Sequence, residues 1–179
     1  MITVMAMKYR CATWFLFAAL AAPSAPVFST DLTISFNGQF VVPTCKFTVN
    51  GGNSVNLGTY ANTYFNTNTS TPAVGIPIAA TGCTTGISTI HLSFSGAADS
   101  SNNQLFAANS GSGVAGVAIE LLAASTQTRI TPGSSVDWTG VNPSLPTNTY
   151  NPMVRFYKTT GAVTAGTVNV PITINFTYN

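Results

Sequence analysis

Leu32–Phe40 reads L-T-I-S-F-N-G-Q-F, and the reading of this stretch decides the fold. Leu32, Ile34, Phe36 and Phe40 share one parity, with Gly38 in the same row. Thr33, Ser35, Asn37 and Gln39 share the other. An apolar residue at every second position is the pattern of a β-strand with one dry face and one wet face. The stretch begins just past a candidate signal-cleavage site, where chains usually fray. Gly38 leaves a gap in the apolar row, which weakens a strand unless something must approach closely there. A terminal strand, apolar on one face and interrupted at one position, fits a strand built for insertion.

Upstream, Lys8 and Arg10 precede the run A-T-W-F-L-F-A-A-L-A-A. That run is apolar but too short to cross a bilayer comfortably, as in a signal peptide. The expected cut follows Ser29, with Val27 and Ser29 at the small-residue positions. A cut near Ala22 is the alternative, and Pro23 disfavours it. The residues around Cys11 do not form a lipoprotein box. Residues 1–29 are therefore read as a signal peptide, 30–43 as an amino-terminal extension running into the first strand, and 44–179 as one domain.

Charged residues make up 6% of the chain, against roughly 25% in an ordinary soluble domain. Beyond Ser29, Lys46, Arg129, Arg155 and Lys158 balance Asp31, Asp99, Glu120 and Asp137, four against four. Such a chain has no basic patch for nucleic acid. It also lacks the net charge that keeps protein copies apart. Cys45 and Cys83 are the two cysteines beyond the signal peptide. In an exported chain such a pair reads as a disulfide. A metal site or a catalytic thiol pair is the weaker alternative, since His91 is the single histidine.

In chain order, Lys46–Val49 reads as a short strand ended by the N-G-G-N turn, and Val55 and Leu57 as another. Residues 59–71 are rich in Thr, Asn and Ser and read as loop. Val74, Ile76 and Ile78 alternate, as do Ile90, Leu92 and Phe94, with His91 on the polar side. Residues 95–113 read as polar loop with a small apolar interruption at Leu105–Phe106. Val117–Leu121 and Met153–Tyr157 read as strands, and residues 131–133 and 142–146 as turns. Seven or eight short strands without helical periodicity predict an antiparallel, immunoglobulin-like β-sandwich.

The chain ends on a long alternating row: Gly166, Val168, Val170, Ile172, Ile174, Phe176 and Tyr178. Pro171 has no N–H to give a ladder, so this strand belongs at an edge or beside a bulge. A long apolar edge invites aggregation unless something covers it. The terminal strand and this edge either pair within one molecule, closing the sandwich, or pair between molecules.

Several stretches bear on that choice: F-N-G-Q-F-V-V-P-T-C at 36–45, T-G-C at 81–83, S-F-S-G-A-A-D at 93–99 and the ending G-T-V-N-V-P-I-T-I-N-F-T-Y-N. Together they resemble the chaperone–usher pilins of the type 1 fimbrial family. In that family a glycine lies fourteen residues from the carboxyl end and a tyrosine is penultimate; Gly166 and Tyr178 match. Gly38, seven residues before the first cysteine, matches the glycine of the family's donor strand. The resemblance spans the whole chain beyond the signal peptide.

The resemblance implies an incomplete immunoglobulin-like sandwich that lacks its last strand and is completed by donor-strand exchange. Residues 30–43 would be the donor-strand extension, with Leu32, Ile34, Phe36, Gly38 and Phe40 as its inserted row. Residues 44–179 would be the pilin domain. Gly166, Val168, Val170, Ile172, Ile174, Phe176 and Tyr178 would form the acceptor groove and the chaperone-binding strand. The implied partners are a periplasmic chaperone, an outer-membrane usher and neighbouring pilins in a head-to-tail filament. The implied route runs through the periplasm to a cell-surface fimbrium.

The expected function is that of a structural fimbrial subunit contributing to adhesion. The alternative is a minor tip adaptor or an adhesive binding subunit, whose host receptor the sequence does not identify. One histidine and four scattered acids give no acid–base pair and no nucleophile setting, so no enzyme, cofactor or metal is expected. Trp138, in S-V-D-W-T-G, reads as a partly buried loop residue rather than a carbohydrate platform.

Overall fold

The computed structural model describes residues 44–49, 52, 54–108, 113–124 and 126–178; Leu32–Phe40 lies outside them. Eleven short strands occur among the described residues. They are β1 (Lys46–Val49), β2 (Val74–Gly75), β3 (Ile78–Thr81), β4 (Thr89–Ser95), β5 (Phe106–Ala107), β6 (Val117–Leu122), β7 (Arg129–Ile130), β8 (Ser135–Thr139), β9 (Thr147–Tyr150), β10 (Met153–Lys158) and β11 (Thr173–Tyr178). Every described ladder is antiparallel.

One layer is built from two ladders, β1-β3-β9 and β2-β10-β6-β5, with β7 also on β6. Their junction falls where Pro77 follows β2 and Pro152 follows β9. Neither proline offers an N–H, so the regular ladder must break there. The Ile76 amide donates to the Pro152 carbonyl at 2.7 Å and carries the pairing across the break. The second layer is β11-β4-β8, with β11 at its end. The layers meet through Phe47 of β1, stacked on Phe176 of β11 with ring centroids 3.9 Å apart, and through Trp138 of β8 against Tyr150 of β9 at 5.7 Å.

The alternation read from sequence sets the faces. Ile90, Leu92 and Phe94 of β4 are fully buried, and Ile78 and Ala80 of β3 meet them in the same core. Each such aliphatic or aromatic side chain contributes about 1.5–3 kcal/mol by leaving water. β6 is covered on both sides, and all six of its residues are buried. Glu120 on its outer side accepts from Arg129 Nε at 2.8 Å and from Arg155 Nε at 2.6 Å. One buried carboxylate thus ties β6, β7 and β10 together. Such a pair adds modestly to stability when whole and costs much more when one partner is removed.

Cys45 and Cys83 are bonded, 38 residues apart in sequence. The Thr44 amide donates to Thr84 Oγ1, and the Thr84 amide to the Thr44 carbonyl, each at 3.0 Å, so the bridge sits in a paired corner.

Several sequence readings are corrected. Val55 and Leu57 alternate inward but join no ladder. Leu105 and Phe106 are fully buried core residues, and Phe106 starts β5. Trp138 is a buried residue of β8, where loop was expected, and β9, which the sequence reading did not assign, is also a strand. Among the described residues the final row does not form one continuous strand: its ladder covers Thr173–Tyr178 on β4, and residues 163–172 join none of the described ladders. Pro171 lies just before the ladder begins, as its missing N–H requires.

Candidate functional site

A groove of about 960 Å³ runs along the edge of the sandwich. One lip is residues 54–60, the other is residues 163–172, and neither belongs to a strand. The floor is apolar and mostly buried core, including Phe65, Ile76, Phe94, Ile119, Leu121 and Val154. No Asp, Glu, Lys, Arg or His lines it among the described residues. A segment the length of 166–172 spans about 23 Å when extended, at about 3.3 Å per residue. The groove is lined by no charged side chain among the described residues, and its two lips lie outside the described ladders.

The carboxyl-terminal row keeps its parity through the lip. Val168, Val170, Ile172, Ile174, Phe176 and Tyr178 are half-buried, and the residues between them are exposed. Gly166, Val168, Val170, Ile172 and Ile174 line the groove. Phe176 and Tyr178 lie beyond it, and Phe47 stacks over both rings. On the facing lip, Val55 and Leu57 turn the same way, half-buried against the core.

The start of the second lip is pinned. Thr164 Oγ1 donates to the Gly113 carbonyl at 3.0 Å and accepts from the Ala115 amide at 2.7 Å. The Thr164 amide donates to the Ala115 carbonyl, and the Thr159 amide to that of Gly116. Gly116 has a φ of +76°, and a Cβ there would lie 2.5 Å from the Ala162 carbonyl oxygen. Only glycine allows that approach. Farther along, the second lip passes β4. A Cβ on Gly96 would lie 2.8 Å from the Phe106 ring and 3.5 Å from the Pro171 carbonyl oxygen. The S-F-S-G-A-A-D stretch therefore has a structural task. Its glycine admits Phe106, and buried Asp99 accepts from the amides of Ser101 and Asn102.

His91 and Asp137 are cross-strand partners on the solvent side of β4 and β8, with Nδ1 and Oδ1 2.6 Å apart. The pair lies outside the groove lining. No cluster of three metal-ligating side chains occurs among the described residues. Tyr150 also lies away from the groove, and burial pushes its phenol above the ordinary value.

A two-layer antiparallel sandwich left open along one edge is the build of a pilus subunit. The chain belongs to the fimbrial protein family, whose model matches residues 34–179. It is similar to Protein FimG of Escherichia coli (strain K12), 30% identical over 177 residues, spanning 97% of this chain and 100% of that one. Among solved structures it is similar to the P pilus rod subunit PapA, with a TM-score of 0.62 and 18% identity, covering 75% of this chain and 99% of PapA. It is also similar to a subunit from a chaperone–usher pilus studied for rod uncoiling, with a TM-score of 0.64 and 20% identity, covering 88% of this chain and all of that one. The protein is a fimbrial subunit of the cell surface, not an enzyme, and it polymerises with neighbouring pilins.

Proposed function

We propose that the groove accepts an extended segment from another chain, and that residues 30–43 of this chain fill the groove of a neighbour. The observation that carries this reading is the groove itself: two lips that lie outside the ladders of the described residues, above an apolar, uncharged floor. The donor row Leu32, Ile34, Phe36 and Phe40 matches it in chemistry, and Gly38 marks a shallow point in the fit. Strand addition of this kind takes affinity from backbone bonds and specificity from alternate side chains; chaperone–pilin pairs are a known instance. A head-to-tail contact that does not close on itself yields a filament.

In this reading a signal peptide at 1–29 sends the chain to the periplasm. There a chaperone covers the groove and reads Gly166–Tyr178, and an outer-membrane usher exchanges the chaperone for the next subunit's extension. The chain is a structural subunit of the filament. The second reading, a minor tip adaptor, rests on S-F-S-G-A-A-D, which leans toward the minor subunits in sequence.

The test is deletion of residues 30–42 after the signal peptide. The shortened chain should still accept a neighbour's strand but should never donate one, so filaments should end at it. Filaments that extend past the shortened subunit would refute the proposal. Copy number in sheared fimbriae separates the two readings: many per filament for a shaft subunit, one or two for an adaptor.

A further inference from the structure

Leu145 is the one large apolar side chain that stands out into solvent among the described residues, half exposed. A lone exposed leucine usually means nothing. This one is held on a stiff mount. Pro143 and Pro146 flank it. The Leu145 amide donates to the Asn142 carbonyl at 3.1 Å, and the Ser144 amide to Asn142 Oδ1 at 3.0 Å. Asn148, buried, locks the base of the loop: its Oδ1 accepts from the Asn142 amide, and its Nδ2 donates to the Asn142 carbonyl. Val141, also buried, donates to the Ser88 carbonyl. Folding gains nothing from fixing a leucine in water, whereas a binding contact gains because its ordering cost is already met.

The loop also sits where the extension leaves the body. Thr147, just after it, pairs with Thr81 at the end of β3. Cys83 lies two residues farther and is bonded to Cys45, where the body begins. Four residue steps separate Phe40, the last of the donor row, from Thr44, so the chain between them spans at most about 14 Å. A subunit whose groove holds this extension is thus strapped against the very end of the body that carries Leu145.

Building on the strand-donation reading, we infer that the 142–146 loop is a body-to-body contact. Its partner is a second copy of this chain, the copy that accepts the extension. Leu145 buries its side chain against that copy beside the mouth of the groove. The contact sets how stiffly one subunit stands on the next.

The experiment places a photoactivatable benzophenone side chain at position 145 of the full chain, in cells that assemble filaments from this subunit. Position 135, exposed on the outer side of β8 and outside the groove lining, is the control. Illumination should give a covalent dimer of this chain from position 145 and none from position 135. The dimer should vanish when residues 30–42 are deleted from the labelled copy. Strand-exchanged filaments that give no cross-link from position 145 overturn this inference and leave strand donation standing. A cross-link that survives the deletion, or that joins a different protein, also overturns it. Absence of strand-exchanged filaments overturns strand donation, and this inference with it.

Discussion

Adding a peptide of residues Thr30–Val42 to the purified, chaperone-free domain should raise its melting midpoint by roughly 5–11 °C. The magnitude follows from the groove. Leu32, Ile34, Phe36 and Phe40 would leave water against its apolar floor, worth about 6–12 kcal/mol at about 1.5–3 kcal/mol each. Backbone bonds to the two lips add about 0.5–1.5 kcal/mol each. Association and ordering of a free peptide subtract roughly 4–15 kcal/mol. A favourable remainder puts binding within reach of ordinary peptide concentrations. At a hundredfold excess over the dissociation constant, linkage stabilises the fold by about 2.7 kcal/mol. For a domain of this size each kcal/mol moves the midpoint by roughly 2–4 °C. The assay is a thermal melt followed by circular dichroism. A second peptide with the apolar row moved by one residue is the control, because a one-residue slip turns every side chain to the wrong face. Equal midpoints with and without the Thr30–Val42 peptide, for a domain verified as monomeric, would refute the reasoning.

Other outcomes follow from the same structure. Gly38→Leu should block assembly while leaving chaperone capture intact, since filling the gap in the donor row costs about 1–3 kcal/mol of overpacking; polymer ladders beside chaperone co-purification check it. Cys45→Ser should lower periplasmic yield, because the lost bridge closes a loop of 38 residues, worth about 4 kcal/mol on the chain-entropy account; free thiols at Cys45 and Cys83 in native filaments would contradict this. Glu120→Gln should destabilise the domain by about 3–5 kcal/mol, since it leaves Arg129 and Arg155 facing each other without their carboxylate; urea unfolding of the peptide-bound domain measures it. Removing Tyr178 and Asn179 should abolish chaperone capture and strip a ring from beneath Phe47, while adding one residue after Asn179 should harm capture nearly as much. Co-purification of each variant with the chaperone reads this out, and capture equal to wild type would sink the register argument.

The sequence made the layers legible wherever alternation ran long enough. Thr89–Ser95 puts Ile90, Leu92 and Phe94 in one row, Met153–Lys158 holds four apolar residues in six, and both formed ladders close to the expected bounds. Leu105–Phe106 could not show a period in two residues; Phe106 is buried where Gly96 leaves it room and where it pairs with Ile119 of β6. β9 reads T-N-T-Y, polar throughout but for Tyr150, and its buried Asn148 is there to hold a loop. Trp138 looked like a loop residue because the Ser135–Thr139 row holds just two apolar side chains. His91 and Asp137 stand 46 residues apart, so their pairing depends on a register that no local pattern carries. The second groove lip was legible as an apolar row. That residues 163–172 join none of the described ladders was not, because whether an edge is paired depends on the elements beside it.

We propose that the two lips are strand edges that take a strand from another chain, and amide hydrogen exchange tests this most directly. Exchange at Val55, Leu57, Val168, Val170 and Ile172 should slow sharply when the Thr30–Val42 peptide is bound, while the amides of β4 and β10 change little. Slowing on neither lip, or uniform slowing across the whole domain, would contradict the account.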